Sequence, residues 1–439
     1  MASRGDGPAF VLAVLAAGLG ATLPRVPFGR ALDGPWFLAF AAVGLFAVGL
    51  PLVLGEGALG QFRRRNAVDT FGPGPWKGLG FLVALGAIVL AALLAVLAGW
   101  SARFVVLSFS ESWYDDPGRN FRLLSAGPDA LLTTLAVLAA ATAVAFRGAR
   151  RGLKAVVGAA SVAALLMLAG LALWANTMDG SAAGREGLAS LDAGAPDGSL
   201  AFAAVLAGLA PALLATGAVA TLAGHVNDRT MPREATLVAL FAALAVGFAV
   251  VLVAALASSQ GLSLSGHGLD AFSEGPALFA AIGGWEGGMM AGVFFGSLLL
   301  LALVALLVLL EVPATWLHER SASWSEGRAF LASGLAVYLL AVPLCFGAKA
   351  VLHTGEALAW VAAPLAGMLV SIHVGWARPE VLDGFRVGDA KHPLGRVLRP
   401  LLRYVHPPVL AFLFTVGLLG FLRAVGWADG SGGLWDLAP

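Results

Sequence analysis

At 439 residues the chain has the length of two to four soluble domains, but 59% of its residues are hydrophobic and only 12% charged, against about 25% charged in soluble proteins. A formal net charge of +1, with no basic tract or RNA-type motif, gives nucleic-acid binding no support. The single cysteine, Cys345, excludes an internal disulfide framework and a multi-cysteine metal site.

With about 20 residues per membrane-spanning helix as the ruler, eleven apolar segments follow one another, at roughly 9–27, 36–55, 78–108, 129–147, 154–176, 199–224, 235–258, 288–317, 327–348, 356–376 and 407–425. None has the alternation of a strand. The first runs on into further spans with no small-residue cleavage site behind it, so it is expected to stay as a helix and not to be removed as a signal peptide. The connections alternate in charge. One set carries Arg63, Arg64, Arg65 and Lys77, then Arg147, Arg150, Arg151 and Lys154, then Arg229 and Arg233, then Arg320 and Arg328, and last Arg378, Arg386, Lys391, Arg396, Arg399 and Arg403. With Arg4 this set holds 19 of the 27 basic residues. The opposite set is acidic. By the positive-inside rule the N-terminus is expected in the cytoplasm and, after an odd number of spans, the C-terminus outside. No loop is long enough to fold by itself, so residues 1–439 are expected to form one transmembrane domain in a cell's inner (plasma) membrane, contacting the lipid bilayer along its length.

Two segments are interrupted. The first carries Ala17-Gly18-Leu19-Gly20, Pro24 and Pro27; the sixth carries Gly208, Pro211 and Gly217. Breaks at corresponding places five spans apart are a pattern of inverted-repeat secondary transporters, although glycine and proline are frequent in membrane helices generally.

Specific motifs add to this pattern. Gly18-Leu19-Gly20 with Arg25-Val26-Pro27 is similar to the GLGN and RFP motifs of the neurotransmitter:sodium symporter family, and Gly49 to Gln61 (GLPLVLGEGALGQ) resembles its second-helix signature GIPLLxxExALGQ. Ala98-Gly99-Trp100, the loop Arg147-Gly148-Ala149-Arg150-Arg151-Gly152-Leu153, Glu274 to Phe279, Leu310-Glu311-Val312, Pro364 to Gly367, Val374-Gly375-Trp376 and Arg403-Tyr404-Val405 resemble later motifs in the same order. The resemblance implies an all-α integral membrane fold of about eleven transmembrane helices. It further implies an inverted five-helix repeat (about 9–176 and about 199–376) with broken helices one and six, and an extra helix at about 407–425. It also implies alternating-access transport of a small organic solute, an amino acid or related compound, driven by sodium. The solute would lie where segments one, three, six and eight meet, at Ala17, Gly18, Leu19, Gly20, Leu94, Ala210, Pro211 and Leu213. Arg25 and Glu356 would form the outer gate.

At the positions where such relatives keep their sodium oxygens, this chain has Ala21, Val304 and Ala305, with Thr22 one place beyond Ala21. Leu94 stands where the family has a carboxylate-binding tyrosine. Sodium is a hard cation that takes about six oxygen ligands, so these residues argue against sodium and leave proton-coupled or uncoupled transport as the expectation. The backbone amides of Leu19 and Gly20 would remain to meet an anionic group at a half-helix end. Glu56 and Glu311 are carboxyls inside spans and are read either as proton carriers or as structural groups, Glu56 by tying down the broken sixth helix. His225, His353 and His373 are isolated near span ends and form no metal motif. The tryptophans fit an interfacial belt. No nucleophile–base pair or zinc motif lies in the spans, so no enzyme activity and no cofactor are expected. The alternative function is a non-transporting membrane partner subunit or sensor with a transporter fold.

Overall fold

The computed structural model describes the chain except residues 1–5, 26–34, 111–115, 147–153, 190–196, 226–230, 265–268, 322, 385, 388–389, 392–393 and 428–439. The loop motif at 147–153 and the residues Val26 and Pro27 therefore lie outside the described residues. Helices dominate the rest. Nine of them are long and apolar enough to cross a membrane: Pro35–Arg63, Pro75–Leu107, Pro128–Phe146, Val156–Ala175, Arg233–Ser259, Gly284–Arg320, Glu326–Leu344, Ala348–Ala377 and Leu394–Ala424. Two shorter apolar helices, Phe10–Arg25 and Gly198–Ala212, are the first and sixth segments. Together they match the eleven segments of the sequence in order. The chain is an all-α, multi-pass membrane protein. Its strand content among the described residues is one antiparallel pair, Arg386–Val387 with Ala390–Lys391, in the loop after segment ten.

Segments one, three and eight form the packed centre, with segment eight lying along both of the others. Helices in lipid gain little from hydrophobic contrast, and close backbone approach through small residues takes its place. Here glycines provide that approach. A Cβ on Gly18 would lie 2.6 Å from the Pro211 carbonyl oxygen, and one on Gly20 would lie 2.5 Å from that of Leu301 in segment eight. A Cβ on Gly60 would strike the Ala220 carbonyl, and one on Gly208 the Ala41 carbonyl, so segments two and six are pressed together along their length.

The two expected interruptions differ. Segment six is broken: a helix Gly198–Leu209 tightens into a 3-10 turn at Ala210–Ala212 and resumes only at Ala218–Ala223. Segment one is not broken at Gly18-Leu19-Gly20. Its helix runs unbroken over Asp6–Thr22 and ends in a 3-10 turn, Leu23–Arg25, so the backbone departs from the α form only ahead of the prolines. Two facts account for this. The Thr22 hydroxyl donates back to the Gly18 carbonyl at 2.6 Å, and the glycines serve contact with Pro211 and Leu301, which requires no change of helical dihedrals.

Candidate functional site

Between Leu213 and Gly217 the chain is buried and not helical, an arrangement tolerated at membrane depth only when protein satisfies the backbone. Leu213 (φ 50°), Ala215 (φ 68°) and Gly217 (φ 64°) all take left-handed dihedrals, which for leucine and alanine cost about 1–2 kcal/mol each. The side chains nearby offset this strain. The Thr216 hydroxyl donates to the Leu213 carbonyl at 2.6 Å and accepts from the Ala218 amide at 3.3 Å. Thr221 donates to the Gly217 carbonyl at 2.9 Å.

Glu56 completes the arrangement from segment two. Its Oε1 accepts from the Ala220 amide at 3.2 Å, in the first turn of the half-helix Ala218–Ala223, where amides have no partner within their own helix. An acceptor oxygen there satisfies the amide, and a negative charge would also complement the positive end of the helix dipole. The geometry therefore gives Glu56 the role of tying down the sixth segment. At the other end of the half-helix, His225 Nε2 stands 3.7 Å from Oε1 of Glu311, whose side chain is 9% exposed against 61% for the histidine. The two carboxyls that sequence singled out inside spans thus flank the same six-residue half-helix, Glu56 at its first turn and Glu311 through His225, two residues past its end.

The sequence-predicted solute positions are brought together in part. Gly18 meets Pro211, and Gly20 meets segment eight. Ala17, Leu19, Leu94 and Leu213 are buried and Ala210 is half-buried. The amides of Leu19 and Gly20, however, lie inside an unbroken helix, where amides point to carbonyls four residues back, so no half-helix end is present there to hold an anion. Ala21, Val304 and Ala305 are buried in regular helix and supply no side-chain oxygen. Thr22, the nearest hydroxyl to Ala21 in sequence, is already bonded within its own helix. These residues do not fit a side-chain-liganded sodium site. Among the described residues, no group of three or more His, Cys, Asp or Glu could hold a metal ion.

Where the end of segment one meets segment ten, Arg25 and Glu356, the pair expected to form a gate, come near each other without the expected ion pair. Arg25 donates through Nε to the Ala21 carbonyl at 2.7 Å and through a terminal nitrogen to the Gly355 carbonyl at 3.4 Å. Glu356, one residue on, is engaged by His353 at 3.0 Å. The correction is one of register: segment ten turns its glycine, not its carboxylate, toward Arg25, and a Cβ at Gly355 would already touch the Arg25 side chain at 3.3 Å. A cluster of rings from segment three (Trp100, Phe104), the helix at 117–125 (Phe121), the short helices at 270–282 (Phe272, Phe279) and segment eight (Phe294, Phe295) is in mutual contact. The short helix Asp270–Ser273 also contacts the turn Leu23–Arg25.

Sequence reasoning missed Thr216 and the His225–Glu311 contact. Thr216-Gly217 ahead of an apolar run is a helix-start signal that would have found the first. The second depends on the fold, since 86 positions separate its members in sequence.

No protein-family model matches the chain. A protein of Haemophilus influenzae described as an uncharacterized sodium-dependent transporter is 27% identical over 371 residues, which cover 77% of this chain and 78% of that protein. The crystal structure of MhsT in complex with L-phenylalanine is similar with a TM-score of 0.80 at 24% identity, over 94% of this chain and 98% of MhsT. In fold the chain is similar to MhsT, and in sequence it is similar to a protein described as a sodium-dependent transporter.

Proposed function

We propose that the protein is a secondary transporter that carries a small amino acid or related organic solute across the plasma membrane by alternating access, with its N-terminus in the cytoplasm. The observation that carries this reading is the break in segment six. A buried, strained stretch at Leu213–Gly217, preceded by Pro211 against Gly18 of segment one and followed by a half-helix capped from segment two by Glu56, is the kind of interrupted helix from which transporter sites are built. The phenylalanine bound to MhsT and the description of the Haemophilus protein support an amino-acid-type solute. The repeats, about 9–176 and 199–376, would rock against each other around this centre. We assign coupling to protons or to none, because Ala21, Val304 and Ala305 leave a hard cation without side-chain oxygens. Glu311, in contact with the exposed His225, is the carboxyl placed to exchange a proton with the inner solution.

The test is uptake by proteoliposomes of a solute first found by thermal shift, since a ligand that binds the native state raises its apparent stability. Uptake is expected to persist when choline replaces sodium; strict dependence on sodium refutes the coupling assignment while leaving the transport assignment standing. One observation favours a second reading, a non-transporting partner subunit or sensor. The glycine contacts of segment one with Pro211 and Leu301 leave no solute-sized space between those backbones. A panel of amino acids and amines with no thermal shift and no uptake would decide for that reading.

A further inference from the structure

Segment eleven is longer than a membrane needs. Its helix, Leu394–Ala424, has 31 residues, whereas about 20 residues cross the hydrocarbon core. With Arg423 and the exposed Trp427 marking one boundary, roughly the first eleven residues extend into the headgroup layer on the other side. That overhang carries Arg396, Arg399 and Arg403, spaced i, i+3 and i+7 so that they share one flank, while Leu398 and Leu402 face the protein and are buried. Among the described residues none of the three arginines has a carboxylate partner.

The last of them is held in place. The π-helical turn Leu401–Val405 alters the ladder of backbone bonds, and neighbouring side chains engage its carbonyls. Nδ1 of His406 lies 3.0 Å from the Leu401 oxygen, Ser371 donates to the Leu402 oxygen at 2.6 Å, and the Trp376 indole donates to the Arg403 oxygen at 2.8 Å. Gly375 permits this docking, because a Cβ there would lie 2.9 Å from the Arg403 Cα. The Arg403 guanidinium consequently lies 4.1 Å from the centroid of Trp376 and 5.4 Å from that of Tyr404, with its Nε buried and without a hydrogen-bond partner, so that its terminal nitrogens are the donors left to a ligand. Both aromatic side chains are more than half exposed. A guanidinium fixed by stacking keeps a planar edge of N–H donors that suits phosphate oxygens, and tryptophan and tyrosine are the residues that settle at headgroup depth.

We propose that Arg396, Arg399 and Arg403, with Trp376 and Tyr404, form a binding site for the phosphate headgroup of an anionic phospholipid. Charge complementarity selects this occupant: three cations without acidic partners sit where a negatively charged leaflet surface attracts them. The assignment of this face to the inner leaflet rests on the proposed orientation; the site itself does not.

The test uses the full chain in nanodiscs of phosphatidylcholine mixed with phosphatidylglycerol, with lipid retained after release read by native mass spectrometry. Phosphatidylglycerol is expected to be retained over phosphatidylcholine. Each arginine contributes about fivefold to that preference, so the R396Q/R399Q/R403Q protein is expected to lose most of an about hundredfold enrichment. Because the triple variant can also disturb insertion, R403K and Trp376→Leu are measured beside it. Both keep the charge and are expected to weaken retention several-fold, which arginines acting only as topology signals would not do. Equal retention of the two lipids, wild-type retention by the triple variant, or R403K and Trp376→Leu indistinguishable from wild type each overturn the proposal. Displacement of the lipid by inorganic phosphate as readily as by phosphatidylglycerol would overturn the choice of a lipid occupant.

Discussion

Replacing Glu56 separates its two possible roles, because glutamine keeps the acceptor and removes the proton chemistry. The Ala220 amide takes Oε1 of Glu56 at 3.2 Å, and the carboxyl is 2% exposed. In Glu56→Gln the side-chain oxygen can take the same place, and the protein is expected to stay close to wild type in thermal stability. Glu56→Ala leaves a buried amide without acceptor, at about 1–3 kcal/mol, and opens a cavity beside it. The loss corresponds to a fall of roughly 5- to 150-fold in the population of the ordered half-helix. The assay is thermal unfolding of the purified protein in detergent, paired with uptake as a function of pH. A Gln variant as unstable as the Ala variant would refute the capping argument, since the charge and not the acceptor would then hold the half-helix. A stable Gln variant that has lost a pH dependence present in the wild type would make Glu56 the proton carrier in place of Glu311.

Other consequences follow from the same backbone geometry. Gly18→Ala or Gly20→Ala must push apart two backbones, at Pro211 or Leu301, and is expected to cost about 1–3 kcal/mol. Gly78→Ala, which meets nothing within 4 Å, is the control, and equal melting temperatures for all three would refute the contact. Ala215→Gly removes the left-handed penalty at φ 68° and is expected to raise stability by about 1 kcal/mol. A lower melting temperature would show that the Ala215 methyl contributes more through packing than it costs in strain.

The eleven segments were legible because membrane insertion demands long apolar runs, and no tertiary contact is needed to read them. Pro211 and Gly217 marked a real break for the same local reason: proline removes a helical donor, and glycine accepts a positive φ. Gly18 and Gly20 were misleading because glycine has two uses. At Gly217 it serves backbone conformation, and in segment one it serves close packing against another helix. Sequence alone does not separate these uses, since the difference lies in whether Pro211 and Leu301 stand opposite. The approach of Arg25 to segment ten was legible to within one residue. Arg25 does reach the start of segment ten, but the helical phase that presents the Gly355 carbonyl in place of the Glu356 carboxylate is set by the whole packing of that segment, including the π turn at Ala357–Ala362.

The low polarity of the chain bears on mechanism through the place where its few polar groups are spent. In segments one and eight the positions of the sodium-site oxygens are aliphatic, yet around the half-helix Ala218–Ala223 there are two carboxyls, two threonine hydroxyls and a histidine. Polar groups inside a membrane are costly to retain. With Glu56 on its first turn and the His225–Glu311 contact just past its end, this half-helix has polar ties on both sides. Moving the half-helix then requires breaking the Glu56 cap, the His225–Glu311 contact, or both. The second is the one open to solvent, so the exposed histidine is the point at which protons in the adjoining solution can act on the second half of segment six.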